Sequence, residues 1–366
     1  MDITTSGLKE TRKYSRVFIL HEYGAPHHFK ALYYLASLGL IGIESAEFDI
    51  CKQIARLILH RENASLTRLK HNLHLISNLW NAVGQTIIVG VAPYSPIISF
   101  LMKLKEKNQL IYFTSWPFWK EDELAPKRPL TSRQKKLWYE FLNGITAVTV
   151  TKVAQEAISW HGANAMHIPH CVDTEVFKPL TSFAIKDKII ILFVGRLDKE
   201  KGVRHLIDVI KARSWAGVEF WFVGKGPYKS EIASLSSERP IRYLDFISDP
   251  EQLADIYRKS DIFILPSIDD QSIENFGIVL LEAMATGLPI VTTNCIGPKE
   301  IVDNGIEGYV VPQGDSIAML EALGSLVYDS SKRIRFGMKG RTKAEQRYSI
   351  GVVAKKWIGV LKCEKD

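Results

Sequence analysis

From Lys188 to Pro312 the chain alternates short apolar runs with amphipathic segments, and this alternation constrains the fold more than any other feature. "KIIILFVG" (188–195), "GVEFWFVG" (217–224), "IRYLDFI", "DIFILPS" (261–267), "PIVTT" and "GYVVP" (308–312) read as strands. Between them, "EKGVRHLIDVIKARS", "YKSEIASLSS", "PEQLADIYRKS" and "GIVLLEAMAT" read as helices. Strands that alternate with helices predict a parallel sheet covered on both faces. Three helical segments finish the chain.

The first half shows the same grammar less cleanly. "RVFILHEY", "TIIVGVA" (86–92), "QLIYFT" and "ITAVTVT" (145–151) are strand candidates, and Cys51 to Gln85 is helical in composition without clear boundaries. A long polar insertion, "SWPFWKEDELAPKRPLTSRQKKLWYEF", separates the last two strands. Pro and polar residues in "KPLTSFAIKDK" (178–188) predict a linker. With 366 residues and roughly 150 per domain as a prior, two doubly wound α/β domains are expected. The boundaries are 1–180 and 181–345, with 346–366 a C-terminal helix that crosses back to the first domain. Ligands of such sheets bind outside the carboxyl ends of the strands, here in a central cleft that the two domains face.

Charged residues are 24% and hydrophobic residues 46% of the chain, which implies a folded globular protein. No apolar run of about 18 residues predicts a membrane-spanning helix, and the N-terminal stretch lacks a secretory cleavage pattern. Cys51, Cys171, Cys295 and Cys363 are scattered without CxxC spacing, so reduced thiols and a cytoplasmic location are expected, with no zinc site. The net charge is +7, and from Lys52 to Lys136 there are 14 basic residues against 5 acidic. Such an excess suits an anionic partner or is simply a solvated basic surface. No nucleic-acid module appears. A peripheral site on an anionic membrane is expected, with "SWPFWK" supplying apolar insertion and "SRQKK" and "MKLKEK" supplying charge.

"SIENFGIVLLEAMATGLPIV" (272–291) sets two acids, Glu274 and Glu282, in an apolar run. Gly287 and Pro289 form a helix stop, so the helix starts at about Phe276 or Gly277. Glu274 then lies in the loop before it and Glu282 within it. Backbone N–H groups from Gly277 to Val279 make an anion site. On a continuous helix the acids lie roughly 80° apart in azimuth and ~12 Å apart along the axis. That separation rules out a proton-sharing dyad but suits two ends of one extended ligand. Alternatively, Glu274 complements the helix dipole and Glu282 lies on a surface face.

In "FVGRLDKEKGV" (193–203) a strand ends at Gly195, and Arg196 and Lys201 follow in the loop. A guanidinium fork and an ammonium beyond a strand end suit a diphosphate, unless they are ordinary loop charges. "FVGKGP" (222–227) supplies a second glycine-bearing strand end at Gly224. "HEYGAPHH" (21–28) places Gly24 after the first strand among three histidines, read as polar residues and not as a metal site. Asp269 and Asp270 in "SIDDQS" are adjacent acids that turn chemistry also explains.

Taken together, "FVGRLDKEKGV", "VGKGP", "SDIFILPS", "ENFGIVLLEAMATGLPIV" and "EIVDNGIEGYVVPQGD" resemble, in order and spacing, the retaining GT-B glycosyltransferases of group 1 (family 4). "IPHCVDTEVFKP" (168–179) is similar to the segment that closes the first domain there. The likeness is strong from about 165 to 320. It implies that Arg196 and Lys201 neutralise a donor diphosphate and that Glu274 contacts the donor sugar. Backbone amides around Phe276, Gly277 and Ile278 would hold sugar and phosphate, while Glu282 would take the ribose hydroxyls. It implies no metal and no cofactor, the nucleotide-sugar being a substrate. It also implies a glycan or lipid-linked acceptor, in cell-surface polysaccharide or glycolipid synthesis. The chain departs from the family at the single Gly24, at His170-Cys171 and near Phe246. Ser115 or Trp116 stands where a first-domain histidine often faces the sugar. A catalytically weakened binding subunit, or an epimerase of the same fold, is the alternative.

Overall fold

The computed structural model describes residues 16–21, 26–48, 63–119, 131–180, 187–269 and 274–361. The chain divides into two compact units. One runs to Pro169 and takes in the chain from Ala354 onward; the other is His170–Val353.

The first unit is built on six parallel strands, β1 (Arg16–His21), β2 (Gly42–Glu47), β3 (Thr86–Gly90), β4 (Gln109–Thr114), β5 (Thr146–Thr149) and β6 (Asn164–His167), in the order β2-β1-β3-β4-β5-β6. Its helices are α1 (Lys30–Ser37), α2 (Asn63–Trp80), α3 (Ile98–Lys107), α4 (Ser132–Leu142) and α5 (Lys152–Ser159). Strands β2 and β6 were not anticipated. They are the two edge strands, and "GIESAE" and "NAMH" are only partly buried, so they lack the apolar run that marks the central strands.

The expected polar insertion is also corrected. Its described C-terminal part is α4, opened by a Thr131–Gln134 capping box and burying Trp138, Phe141 and Leu142. Trp119 is only 2% exposed and packs on Tyr112 and Trp138. Trp116 and Phe118 are half-buried against each other. Trp119 is therefore core, and Trp116 and Phe118 are half-buried and not the exposed membrane anchor expected, because burying such large rings against one another gains more than leaving them in water.

The second unit has strands β7 (Ile189–Val194), β8 (Val218–Val223), β9 (Ile241–Leu244), β10 (Ile262–Leu265), β11 (Ile290–Thr293) and β12 (Gly308–Val311), again all parallel. Its helices are α6 (Val203–Ala212), α7 (Lys229–Leu235), α8 (Pro250–Lys259), α9 (Ile278–Ala285), the short α10 (Pro298–Ile301), α11 (Ser316–Val327) and α12 (Ser330–Lys343); α13 (Ile350–Leu361) follows a π-helical turn. All six of these strands fall on the expected runs. The order β12-β11-β10-β7-β8-β9 is the doubly wound one, with its direction reversing between β7 and β10. A ligand crevice is expected at that switch point, outside the carboxyl ends.

The two units part at Pro169/His170, ahead of the 178–188 stretch expected as linker. Residues 170–179 are tied to the second unit by hydrogen bonds. Val172 N donates to Tyr348 O (2.9 Å), and Arg258 donates to Val176 O (2.9 Å). Arg341 donates to Thr174 O (3.0 Å), Phe177 O (2.8 Å) and Ala285 O (2.7 Å). At the far end the division falls inside α13, and Trp357 stacks on Phe113 of the first unit. The ammonium of Lys343, on α12, is buried between Glu307 (3.1 Å) and Asp303 (2.9 Å) and ties that helix to the turn before β12.

Candidate functional site

Five strand-to-helix loops of the second unit come together around its switch point. Leaving β7, Gly195 lies backbone to backbone with Gly224 at the end of β8; a methyl on Gly224 would come within 1.9 Å of the Gly195 carbonyl. Leu197 N then donates to Lys225 O (2.8 Å) and laces the two loops together. Gly202, the N-cap of α6, has φ +69, and a Cβ there would meet Pro266 O at 1.7 Å. Only glycine lets the β7 loop lie this close to the β10 loop. Ile268 N donating to Glu200 O (2.8 Å) completes that contact.

This approach brings Lys201 to Glu274, 73 residues further on, as a partly buried ion pair. The same Glu274 Oε2 accepts from Ser267 Oγ (2.9 Å). The Lys201 stem passes Gly195, and its backbone N–H is held by Asp198 Oδ1 (2.9 Å). Arg196 behaves differently. Its side chain is 63% exposed and pairs with Asp198 (2.8 Å) and Glu200 (2.7 Å) of its own loop.

Glu274 is also fixed through its backbone. Asp269 Oδ1 accepts from Glu274 N (2.9 Å), while Oδ2 accepts from Ile296 N (3.1 Å) and Gln313 Nε2 (3.4 Å). Asp269 N in turn donates to Gln313 Oε1 (2.8 Å). One carboxylate thus ties together the loops that follow β10, β11 and β12. Beneath it, Thr293 Oγ1 (2.6 Å) and Cys295 Sγ (3.0 Å) donate to Ser267 O. Burial, more than the neighbouring Asp269 charge, pushes the Cys295 thiol up to about 12.

Helix α9 starts where expected. Gly277 is its N-cap at φ +87, a left-handed conformation that glycine adopts without strain. Ile278 opens the first turn, whose backbone N–H groups leave the helix N-terminus unpaired within the helix. The Phe276 side chain is core, edge-on to the His170 ring. Glu282 is 9% exposed and takes a 2.9 Å hydrogen bond from Tyr257 Oη. Burial first, and then the Glu282 charge, push the Tyr257 phenol well above its usual range. Glu282 is therefore an anchored, buried carboxylate, which settles against the surface-face alternative.

The structure thus brings Lys201, Glu274, Gly195, Gly277 and Ile278 into one set of loops, with Gly224 behind them and Glu282 inside the helix. Arg196 is in the same loop as Lys201 but engaged elsewhere. Gly24 lies outside the described residues, as does Asp270. Sequence reasoning gave Asp269 to turn chemistry and did not find Ser267 or Tyr257. Ser267 and Asp269 could have been found from their position after a central strand; Tyr257 carried no local signal. Among the described residues no three His, Cys, Asp or Glu side chains gather as a metal-holding group.

Residues 180–343 match the family model for glycosyl transferases group 1. This stretch is a group 1 glycosyltransferase domain. The chain is 31% identical over 227 residues to a phosphatidyl-myo-inositol mannosyltransferase of Mycobacterium leprae, covering 59% of this chain and 58% of that one. It is 30% identical over 176 residues to the capsular polysaccharide biosynthesis glycosyltransferase CapM of Staphylococcus aureus, covering 46% and 44%. The chain thus spans about half the length of these curated relatives. Over nearly the whole length of both, it is similar in structure to Anabaena HepE solved in complex with UDP, with a TM-score of 0.67, 16% identity, and coverage of 95% and 99%. That likeness shows the GT-B fold. The glycosyltransferase domain contains every loop of the switch-point site.

Proposed function

We propose that the protein is a retaining glycosyltransferase. It would move a sugar from a nucleotide-diphosphate donor to a glycan or lipid-linked acceptor, in cell-surface polysaccharide or glycolipid synthesis. The observation that carries this reading is the Lys201–Glu274 pair at the switch point, beside the N-terminus of α9. A diphosphate placed there meets an ammonium and a helix N-terminus, both of which favour negative charge. Lys201 neutralises the leaving diphosphate as the bond from the anomeric carbon to the phosphate oxygen breaks. Glu274, released from Lys201, accepts from donor-sugar hydroxyls. The acceptor hydroxyl attacks on the face that the leaving phosphate vacates and passes its proton to the departing phosphate oxygen, and rate comes from positioning and charge stabilisation.

Arg196, itself exposed, joins by exchanging its two surface ion pairs for phosphate. Exposed pairs are worth only about 0–1 kcal/mol each, so the exchange costs little. Glu282, braced by Tyr257, takes ribose hydroxyls along its exposed edge. Because lysine, arginine and helix N-terminus already supply positive charge, transfer is expected to persist in EDTA. The names of the relatives, a lipid mannosyltransferase and a capsular enzyme, support the pathway class, and HepE with UDP supports a nucleotide-bearing donor.

The test is calorimetric binding of UDP-, GDP- and ADP-sugars to the whole protein and to an Arg196→Ala, Lys201→Ala variant. One donor is expected to bind, and the variant to lose it. Binding of none, or equal binding by the variant, defeats the proposal.

A further inference from the structure

The apolar side of helix α2 is broader than the part of it that is buried. Asn72, Leu75 and Leu79 are buried on the inner face. Outside, Leu66, Leu73 and Trp80 recur every seven residues and are 46%, 45% and 51% exposed. Seven residues bring a helix back to within ~20° of the same azimuth, so the three form one straight stripe about 21 Å long. It stands roughly 130° from the centre of the inner face, with the half-buried Leu69 and Ile76 between the two, and Lys70 and Ser77 border its far side.

The stripe continues beyond the helix. Val83, in the turn that follows, is 64% exposed. Gly84 N donates to Lys107 O (2.8 Å), which brings the end of α3 against that turn. Trp80 stacks on Phe100 of α3 at 5.5 Å, and the Lys103 ammonium lies 4.6 Å from the Trp80 ring centre. Lys70, Lys103 and Lys107 are all exposed around this apolar strip, with Glu106 the one acid among the described residues of α2 and α3. Trp160 of the same unit, 73% exposed, has no such setting; Glu156 lies one turn before it.

Exposed leucines with a tryptophan at the end, rimmed by lysines, match the chemistry of a lipid–water interface. The apolar side chains enter the acyl boundary, the indole sits among headgroups, and lysines meet anionic phosphates. We propose that the outer face of α2, with the adjoining edge of α3, docks this protein onto an anionic phospholipid surface. The partner is committed to by charge, since a zwitterionic surface has no use for the lysine rim. The inference does not depend on the transferase reading, because no residue of the switch-point site takes part.

The experiment is co-sedimentation of the whole protein with vesicles of phosphatidylcholine alone and of phosphatidylcholine mixed with phosphatidylglycerol. The variants are Leu73→Ser with Trp80→Ser, Lys103→Ala with Lys107→Ala, and Trp160→Ser as a matched control. Binding is expected only to the anionic vesicles and to weaken with salt. Each lysine near the surface contributes on the order of 1 kcal/mol, so the lysine pair should lower binding by about tenfold or more. The Leu73/Trp80 variant should lose it, and the Trp160 variant should keep it. Melting curves and nucleotide-sugar binding of each variant report whether it is folded, and the lysine pair, wholly on the surface, serves if the apolar variant is not. Indifference to anionic lipid, or equal binding by both α2–α3 variants, overturns the proposal. So does a dimer that the Leu73/Trp80 change converts to monomer without any vesicle binding, which would make the face a protein interface.

Discussion

The two sheets have the same strand number and the same parallel sense, yet the loops that leave their central strands differ in chemistry. In the second unit this edge gathers charge: Lys201 on Glu274, Asp269 joining three loops, and Arg196 between two acids. In the first unit the loops leaving β3 and β4 gather rings. Tyr94, the one non-glycine residue with positive φ (59°) among those described, packs on Trp119 and Trp138. Trp138 Nε1 is held by Ser95 O at 3.2 Å. A doubly wound topology therefore fixes where a ligand can lie, and the side chains at that place decide what kind it is.

The sharpest way to break this contrast is to remove its central charge. Lys201→Ala is expected to lower the transfer rate by roughly a hundred- to a thousandfold, the scale for losing one preorganised stabiliser of developing charge. Arg196→Ala should lower it by about tenfold, since that exposed side chain must first leave its two acidic partners. If steady-state kinetics rank the two the other way, the Lys201–Glu274 pair is an ordinary structural contact.

Charge in the second unit should also matter more for stability. Lys343→Met leaves Glu307 buried without its ammonium and is expected to cost about 3–5 kcal/mol by denaturant unfolding. The first unit offers Lys105, whose ammonium caps α4 at Phe141 O (2.7 Å) and Asn143 O (2.8 Å). Lys105→Met should cost about 1 kcal/mol, because that lysine is only partly withdrawn from water and its carbonyl partners can turn to solvent.

Tyr257→Phe removes one hydrogen bond to a buried carboxylate and is expected to cost about 1–3 kcal/mol. The smallest expected effect is alkaline. Below the ordinary thiol value of 9.0 Cys295 is neutral whether folded or unfolded, and its contribution is complete. Between 9.0 and about 12 only the unfolded chain releases the proton, so stability falls as pH rises through that window. Cys295→Ala should flatten the decline in melting temperature over this range, and native Cys295 should resist iodoacetamide at pH 8.

Much of the second unit was legible because its strands are buried on both faces and read as unbroken apolar runs. The first unit was harder. Edge strands β2 and β6 are polar on their open sides, and α4 hides three core residues among lysines and glutamine. Trp119 and Trp116 looked like surface aromatics because nothing local records that Tyr112 and Trp138 lie across from Trp119. At the site, helix punctuation placed Glu274 in the loop and Glu282 in the helix correctly. The partners of those acids were invisible, since Lys201 lies 73 residues from Glu274 and Tyr257 lies 25 from Glu282.

The sequence alone determined the alternation of strand and helix, the frame of α9, and the set of charged residues that follow strand ends. These depend on local periodicity and on glycine and proline stops, which act over a few residues. Only the tertiary structure decided which charges meet. The crossover between β7 and β10, and the close approach that Gly202 permits, bring Lys201 onto Glu274 and leave Arg196 outside. It also decided that Leu66, Leu73 and Trp80 of α2 are exposed, because whether an apolar residue is core or surface depends on what packs against it.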